Sequence, residues 1–149
     1  MIVDSIENGI VIDHITAGFG LTIIDRLAID RRKNTIACIM NASSKKYGRK
    51  DLVKIVNVVD VDLAVLGLID PNATVNIIEN GVIKEKINLK LPDKVVNVIK
   101  CKNPRCVTSI EASAPQVFHL MDAENREYRC EYCDDLVAVK GDYGYENLR

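Results

Sequence analysis

Two close cysteine pairs restrict this chain more than any other feature. Cys101 and Cys106 are separated by four residues, Cys130 and Cys133 by two, and 23 residues connect the pairs. Each short loop turns back on itself and aims two sulfurs at one point, which is how four thiolates reach a tetrahedral metal ion. Pro104 helps the first loop reverse, and Tyr132 is placed to cover the sulfurs as a small apolar lid. Two disulfides would suit a secreted protein, a dithiol redox site would leave one pair unexplained, and a rubredoxin-type iron site uses similar ligands. Structural zinc leads these readings. Four thiolates close the coordination shell, so the ion holds the fold and performs no chemistry.

The segment around these cysteines needs such help. From about residue 96 to 149 there are few long apolar runs, and a module near ~50 residues buries too little surface to fold alone. Metal binding supplies about 10 kcal/mol coupled to folding. Charge marks the same division. Residues 1–100 carry 14 basic and 12 acidic side chains, and residues 101–149 carry 6 and 9. A zinc ribbon that grips nucleic acid clusters Lys and Arg against phosphates. This one is acidic, which argues against DNA or RNA and for a protein partner. The start, Met1 to Asp4 followed by Glu7, does not read as an export leader, and no apolar run approaches membrane-spanning length. A reducing, cytoplasmic setting suits the metal thiolates and the fifth cysteine, Cys38, which reads as a small buried residue in a strand.

Upstream, the alternation of apolar and polar residues predicts strands over 10–15, 35–40, 49–59, 73–78 and 82–89. Helical spacing predicts helices over 18–28 and 60–69, the second capped by Asp60 and stopped at Asp70-Pro71. Residues 41–48 read as a flexible loop, and Glu79-Asn80-Gly81 as a hairpin turn. The resulting order is β-α-β-β-α-β with an added hairpin strand. The expected class is α+β: a split βαβ (ferredoxin-like), mostly antiparallel sheet with two helices, then a small all-β zinc ribbon of rubredoxin-like form. The expected division is residues 1–90, a linker over 91–95, and 96–149.

Lys45, Lys46, Arg49, Lys50 and Lys54 crowd ten residues, and Lys84 and Lys86 lie on the last strand of the first part. Even spacing puts Lys50 with Lys54, and Lys84 with Lys86, on shared faces if pairing is regular. By the same rule Asp13 and His14 point to opposite faces. Alone, the cluster reads as a solvated edge, and His14 as a core histidine. No Gly-rich phosphate loop is present, so an anion would be held by side chains. His119 takes a structural reading, because the cysteines already complete a metal shell.

Gly9-Ile-Val-Ile-Asp-His-Ile15, Gly48-Arg-Lys-Asp-Leu-Val-Lys-Ile55, Ala73-Thr-Val-Asn76 with Ile78, Leu91-Pro92 and the cysteine spacing stand in register. Together they resemble the regulatory chain of aspartate carbamoyltransferase, over nearly the whole length. The resemblance implies a non-catalytic subunit whose first domain binds CTP and UTP as inhibitors and ATP as activator, and pairs with a second regulatory chain. It implies that the zinc domain docks on the catalytic chain. Matched by position, His14 and Lys86 would face phosphates, and Asp13 and Lys54 the ribose and base. Ile6, Val11, Asn76, Ile78 and Ile83 would line the pocket, and Asn103 would touch the catalytic chain. Gly81 departs from an aromatic position of the family, and Lys102 and Arg105 from a Pro and an Asn. A zinc-ribbon nucleic-acid-binding protein and a connector without effector response are the alternatives.

Overall fold

A computed structural model describes residues 5–27, 29–45, 48–58 and 60–139. It divides into two compact units, Met1–Lys90 and Leu91–Arg149.

The first unit is a five-stranded sheet built from β1 (Gly9–Thr16), β2 (Ile36–Ser44), β3 (Gly48–Val56), β4 (Thr74–Glu79) and β5 (Val82–Asn88). Their order across the sheet is β2-β3-β1-β4-β5, and every neighbouring pair is antiparallel. Two short helices, α1 (Gly20–Arg26) and α2 (Leu63–Ile69), complete the α+β plan expected from the sequence. Strand alternation explains the core. Ile10, Ile12, Val53, Ile55 and Val75 are fully buried and lie in paired rows on one face. Ile23 of α1 and Leu66 and Leu68 of α2 are buried with them. Each such side chain contributes about 1.5–3 kcal/mol over leaving it in water.

Helix α1 begins without a side-chain cap of its own at Phe19. The Gly18 and Gly20 amides instead donate to Oδ2 of Asp51 in β3, at 2.9 and 2.8 Å. Oδ1 of the same carboxylate accepts from the Asn41 amide of β2 at 2.8 Å. Asp51 is fully buried, and these three donors offset the cost of removing its charge from water. A Cβ at Gly20 would stand 3.0 Å from the Cys38 sulfur and 3.1 Å from Asp51 Oδ2, tight enough that those side chains would have to give. The close approach also places α1 on the sheet face that carries Cys38 and Asp51. Cys38 is half-buried, and burial followed by the Asp51 charge raises its thiol pKa.

Several sequence expectations change. The loop expected over 41–48 is in part strand, because β2 runs on to Ser44 past a bulge at Asn41, which takes φ +58°. Helix α2 starts later than expected: its N-cap is Asp62, whose carboxylate accepts from the Ala64 and Val65 amides at 3.1 and 3.2 Å, and not Asp60. The expected ends Ala28 and Val59 lie outside the described residues. The hairpin turn is a two-residue Asn80-Gly81 connection, both with positive φ, which matches the twist of antiparallel strands.

The second unit is a four-stranded antiparallel sheet, β6 (Lys94–Val96), β7 (Val117–Asp122), β8 (Glu127–Cys130) and β9 (Leu136–Ala138), in sequence order. One short helical turn, α3 (Val107–Ile110), follows the first cysteine pair. Phe118 and Tyr128 are fully buried at its centre with Ile99. Tyr132, expected as a lid, is 43 % exposed. No helix among the described residues is long and apolar enough to cross a membrane.

Candidate metal centre and effector surface

The four cysteines meet. Their sulfurs all lie within 4.8 Å of one another, and Cys101, Cys106 and Cys130 are buried while Cys133 is half-buried. Cys101 and Cys133 are 3.6 Å apart and Cys106 and Cys130 are 3.8 Å apart. These separations are far beyond a disulfide bond. They match the ~3.8 Å edge of a tetrahedron with metal–sulfur bonds of about 2.3 Å. The residues therefore fit one structural ion, and zinc is the ion such a closed sulfur set favours. With four sulfurs on it, such an ion has no place for substrate.

Each knuckle is shaped from its own backbone. In the first, the Asn103 side-chain oxygen accepts from the Arg105 amide at 3.0 Å, and its carbonyl accepts from the Cys106 amide at 3.1 Å and the Ser109 hydroxyl at 2.7 Å. Gln116, 2 % exposed, accepts the Cys101 amide through Oε1 at 3.0 Å, and its own amide donates to Asn97 Oδ1 at 2.9 Å. Thr108, 7 % exposed, donates its hydroxyl to the Cys106 sulfur at 3.1 Å. In the second, the Asp134 amide donates to the Cys130 carbonyl at 3.0 Å, and the Cys130 amide to the Asp135 carbonyl at 2.9 Å. His119 stands apart from the sulfurs' donor set, with Nε2 2.9 Å from Glu131 Oε1.

In the first unit, strand register assembles part of the expected effector surface. Lys54 pairs with Val11, Val11 with Asn76, and Asn76 with Lys86, while Ala37 pairs with Lys54 on its other side. Cross-strand partners share a face, so these residues form one row across all five strands. The row lies opposite the fully buried Ile10–Ile55 and Ile12–Val53 pairs, which occupy the alternate positions. Lys54 and Lys86 are three strand spacings apart, about 14 Å. Within the row, Asn76 Oδ1 is buried and has no hydrogen-bond partner. A buried amide oxygen without a donor costs about 1–3 kcal/mol.

Other expected members are placed differently. Ile6 and Lys54 line a cavity of about 400 Å³ with Ser5, Glu7, Thr35, Ala37 and Val56. Ile78 is buried and pairs with Gly9 and with Ile83, which is 60 % exposed. The Gly81 amide donates to the Glu7 carbonyl at 2.9 Å. His14 lines a cavity of about 310 Å³ with Thr16, Ala17, Arg49 and Asn72.

His14 sits at a break in β1. Pairing with β3 shifts between Ile12 and Ile15, and His14 takes φ +56°. The bulge overturns the expected opposite-face placement of Asp13 and His14. Asp13 Oδ1 accepts the His14 amide at 2.7 Å, and His14 Nδ1 lies 4.0 Å from Asp13 Oδ2 and 3.3 Å from the Thr74 hydroxyl. Asp13 also holds the Lys50 ammonium at 2.8 Å. Burial raises the Asp13 pKa, and the Lys50 and His14 donors outweigh it, leaving the carboxyl below its ordinary range. A buried Asp70 steadies the far side, accepting the Thr16 amide at 2.5 Å and the Asn72 amide at 3.1 Å. On β5, Lys84 is the extra residue of a third bulge and pairs with Glu79 at 2.8 Å, so regular alternation does not join it to Lys86. Sequence reasoning missed Thr108 and the Asp51 and Asp70 braces, whose partners are set by tertiary folding. Lys50 was visible as a neighbour in the cation cluster, without its partner Asp13.

Comparison with known families accounts for both units. Residues 1–90 match the family described as aspartate carbamoyltransferase regulatory chain, allosteric domain, and residues 93–140 match that chain's metal binding domain. An aspartate carbamoyltransferase regulatory chain from Clostridium acetobutylicum is 58 % identical over 134 residues, covering 90 % of this chain and 92 % of the relative. The namesake from Clostridium botulinum (strain Hall) is 54 % identical, covering 91 % and 93 %. The namesake from Bifidobacterium longum is 50 % identical, covering 93 % and 100 %. The relatives are regulatory chains and not catalytic ones, in keeping with a first unit built as an allosteric domain and a second closed around a structural ion. This chain belongs to the aspartate carbamoyltransferase regulatory chain family.

Proposed function

We propose that this regulatory chain senses nucleoside triphosphates on the exposed face of its first unit and reports them to a catalytic chain held by its second, in the cytoplasm. CTP and UTP inhibit and ATP activates. The observation that carries the reading is the Lys54–Val11–Asn76–Lys86 row. It offers cations at two ends and, between them, an amide oxygen in want of a donor. A nucleotide's phosphates need a cation, and a base N–H supplies the donor: the exocyclic amino group of cytosine or adenine, or the ring N3–H of uracil. Lys86 faces phosphates in this assignment, Lys54 the ribose and base, and Ile6, Val11, Ile78 and Ile83 give the apolar wall. Asp13 and His14, at the bulge, bear on the same ligand's ribose and phosphates by way of the Lys50 and Thr74 contacts.

The metal unit is the docking plug, with Asn103 at its contact with the catalytic chain, and two first units pair as a regulatory dimer. The signal crosses near residues 89–95. Both ends of that stretch are tied within their own units. The Leu89 amide donates to the Ala73 carbonyl at 3.1 Å. Past the boundary, the Pro92 carbonyl accepts the Tyr128 hydroxyl at 2.6 Å, and the Asp93 carbonyl accepts the Leu120 amide at 2.8 Å. An effector shifts the assembly only through unequal affinity for its low- and high-activity states.

Aspartate saturation of an enzyme reconstituted from this chain and catalytic chains, with and without CTP, tests the reading. CTP is expected to move the curve to higher aspartate, and Lys54→Ala to abolish the shift. Coincident curves at saturating CTP, with CTP binding absent by calorimetry, would leave only a structural connector.

A further inference from the structure

The metal centre is asymmetric, and the asymmetry begins at Thr108. This residue lies two positions past Cys106, in the α3 turn, and is 7 % exposed. Its hydroxyl donates to the Cys106 sulfur at 3.1 Å. A sulfur that accepts a fixed hydroxyl donor has its remaining lone pairs aimed, and the ion would take one of them. Cys106 is 2 % exposed and lies 3.8 Å from Cys130, which is fully buried. On the other side Cys133 is half-buried, on a knuckle whose next residue, Asp134, is exposed and at φ +64°. The ligands thus divide into three buried sulfurs, of which Cys106 accepts the Thr108 hydroxyl, and an outer edge at Cys133.

We propose that Thr108 is a positioning residue of the metal centre, orienting the Cys106 thiolate through its hydroxyl so that Cys106 retains the ion when Cys133 lets go. Hydrogen bonds to ligand atoms tune metal sites in this way, and removing one typically costs about 10–100-fold in affinity. The hydroxyl also draws electron density from the sulfur, which lowers the energy of its lone pairs. A cobalt ion in the site reads that directly, because its sulfur-to-metal charge-transfer absorption moves to lower energy when the donor is lost.

The test uses the full chain, loaded with Co²⁺ for spectra and Zn²⁺ for release to a competing chelator. Thr108→Val is expected to shift the charge-transfer band to lower energy and to speed zinc release by about tenfold. Thr108→Ser, which keeps the hydroxyl, is expected to restore both. Faster release with an unmoved band would mean that Thr108 only fills space, and would overturn the proposal. So would Thr108→Ser behaving like Thr108→Val, or Thr108→Val behaving like the parent chain. A measurement on the unsubstituted chain covers failure of the valine variant to fold. With ¹¹³Cd in the site, scalar coupling from the metal to a Thr108 proton through the Cys106 sulfur is expected. Its absence, with couplings to the cysteine β-protons visible, overturns the proposal as well.

Discussion

The two units reach a folded state by different means. In the first, five strands and two helices bury a run of Ile, Val and Leu side chains, nine of them fully or nearly so among Ile10, Ile12, Ile15, Ile23, Val53, Ile55, Leu66, Leu68 and Val75. In the second, strands of three to six residues bury Phe118, Tyr128 and Ile99, and four cysteines converge beside them. One unit is stabilised by apolar burial, which is spread over many residues. The other depends on one ion, so its stability is concentrated in four atoms. Two sources of stability on one chain predict that the proposed sensing surface and the proposed docking module are perturbed separately.

Metal removal is the strongest way to break that comparison. Stripping the ion should unfold the second unit, with a loss on the order of 10 kcal/mol. Hydrogen exchange on the full chain should show the Leu120 and Cys130 amides losing protection while those of Ile10 and Ile12 keep theirs. Equal loss in both units would mean that the first does not stand on its own core.

A smaller effect is expected at Gly67 of α2. A Cβ there would meet the Lys90 carbonyl oxygen at 2.1 Å, so the chain passes over the helix with no room for a side chain. Gly67→Ala should cost about 1–3 kcal/mol, lowering the urea midpoint of the first unit while leaving the cobalt spectrum of the second unchanged. Tyr128→Phe acts on the other side of the boundary. It removes the hydroxyl's bond to the Pro92 carbonyl and should cost about 1 kcal/mol, read as faster exchange of the Leu120 amide with metal content unaltered.

The smallest effect is electrostatic. The Asp13 carboxyl is depressed in the folded chain: burial raises it, and the Lys50 and His14 donors more than offset this. A depressed folded value stabilises at pH above the unfolded value of about 3.9, and that contribution disappears as pH falls through the lower folded value. Lys50→Met should therefore raise the Asp13 pKa, seen in its side-chain carbonyl NMR titration, and remove about 0.2–1 kcal/mol at neutral pH.

What could be read from the chain beforehand was whatever local pattern determines. Alternation located the strands of the first unit, Asn80-Gly81 located the hairpin, and cysteine spacing located the knuckles, while the strands of the second unit were not located one by one. Positions that depend on distant partners were hidden. The bulge at Asn41 is held by a carboxylate ten residues on, and α1 takes its first-turn acceptor from Asp51, 31 residues beyond Gly20. Asp60 and Asp62 are equally good caps by type, and the choice of Asp62 came with the packing of α2. His14 left its expected face because β1 slips by one bulge, which no count of alternating residues contains.

The measurement that bears most directly on the division of labour is recovery of an aspartate carbamoyltransferase catalytic chain on this chain, with CTP binding by calorimetry, before and after metal removal. The account predicts that the stripped chain loses the catalytic chain and keeps CTP. A stripped chain that still holds its partner, or one that loses CTP along with it, would contradict the account.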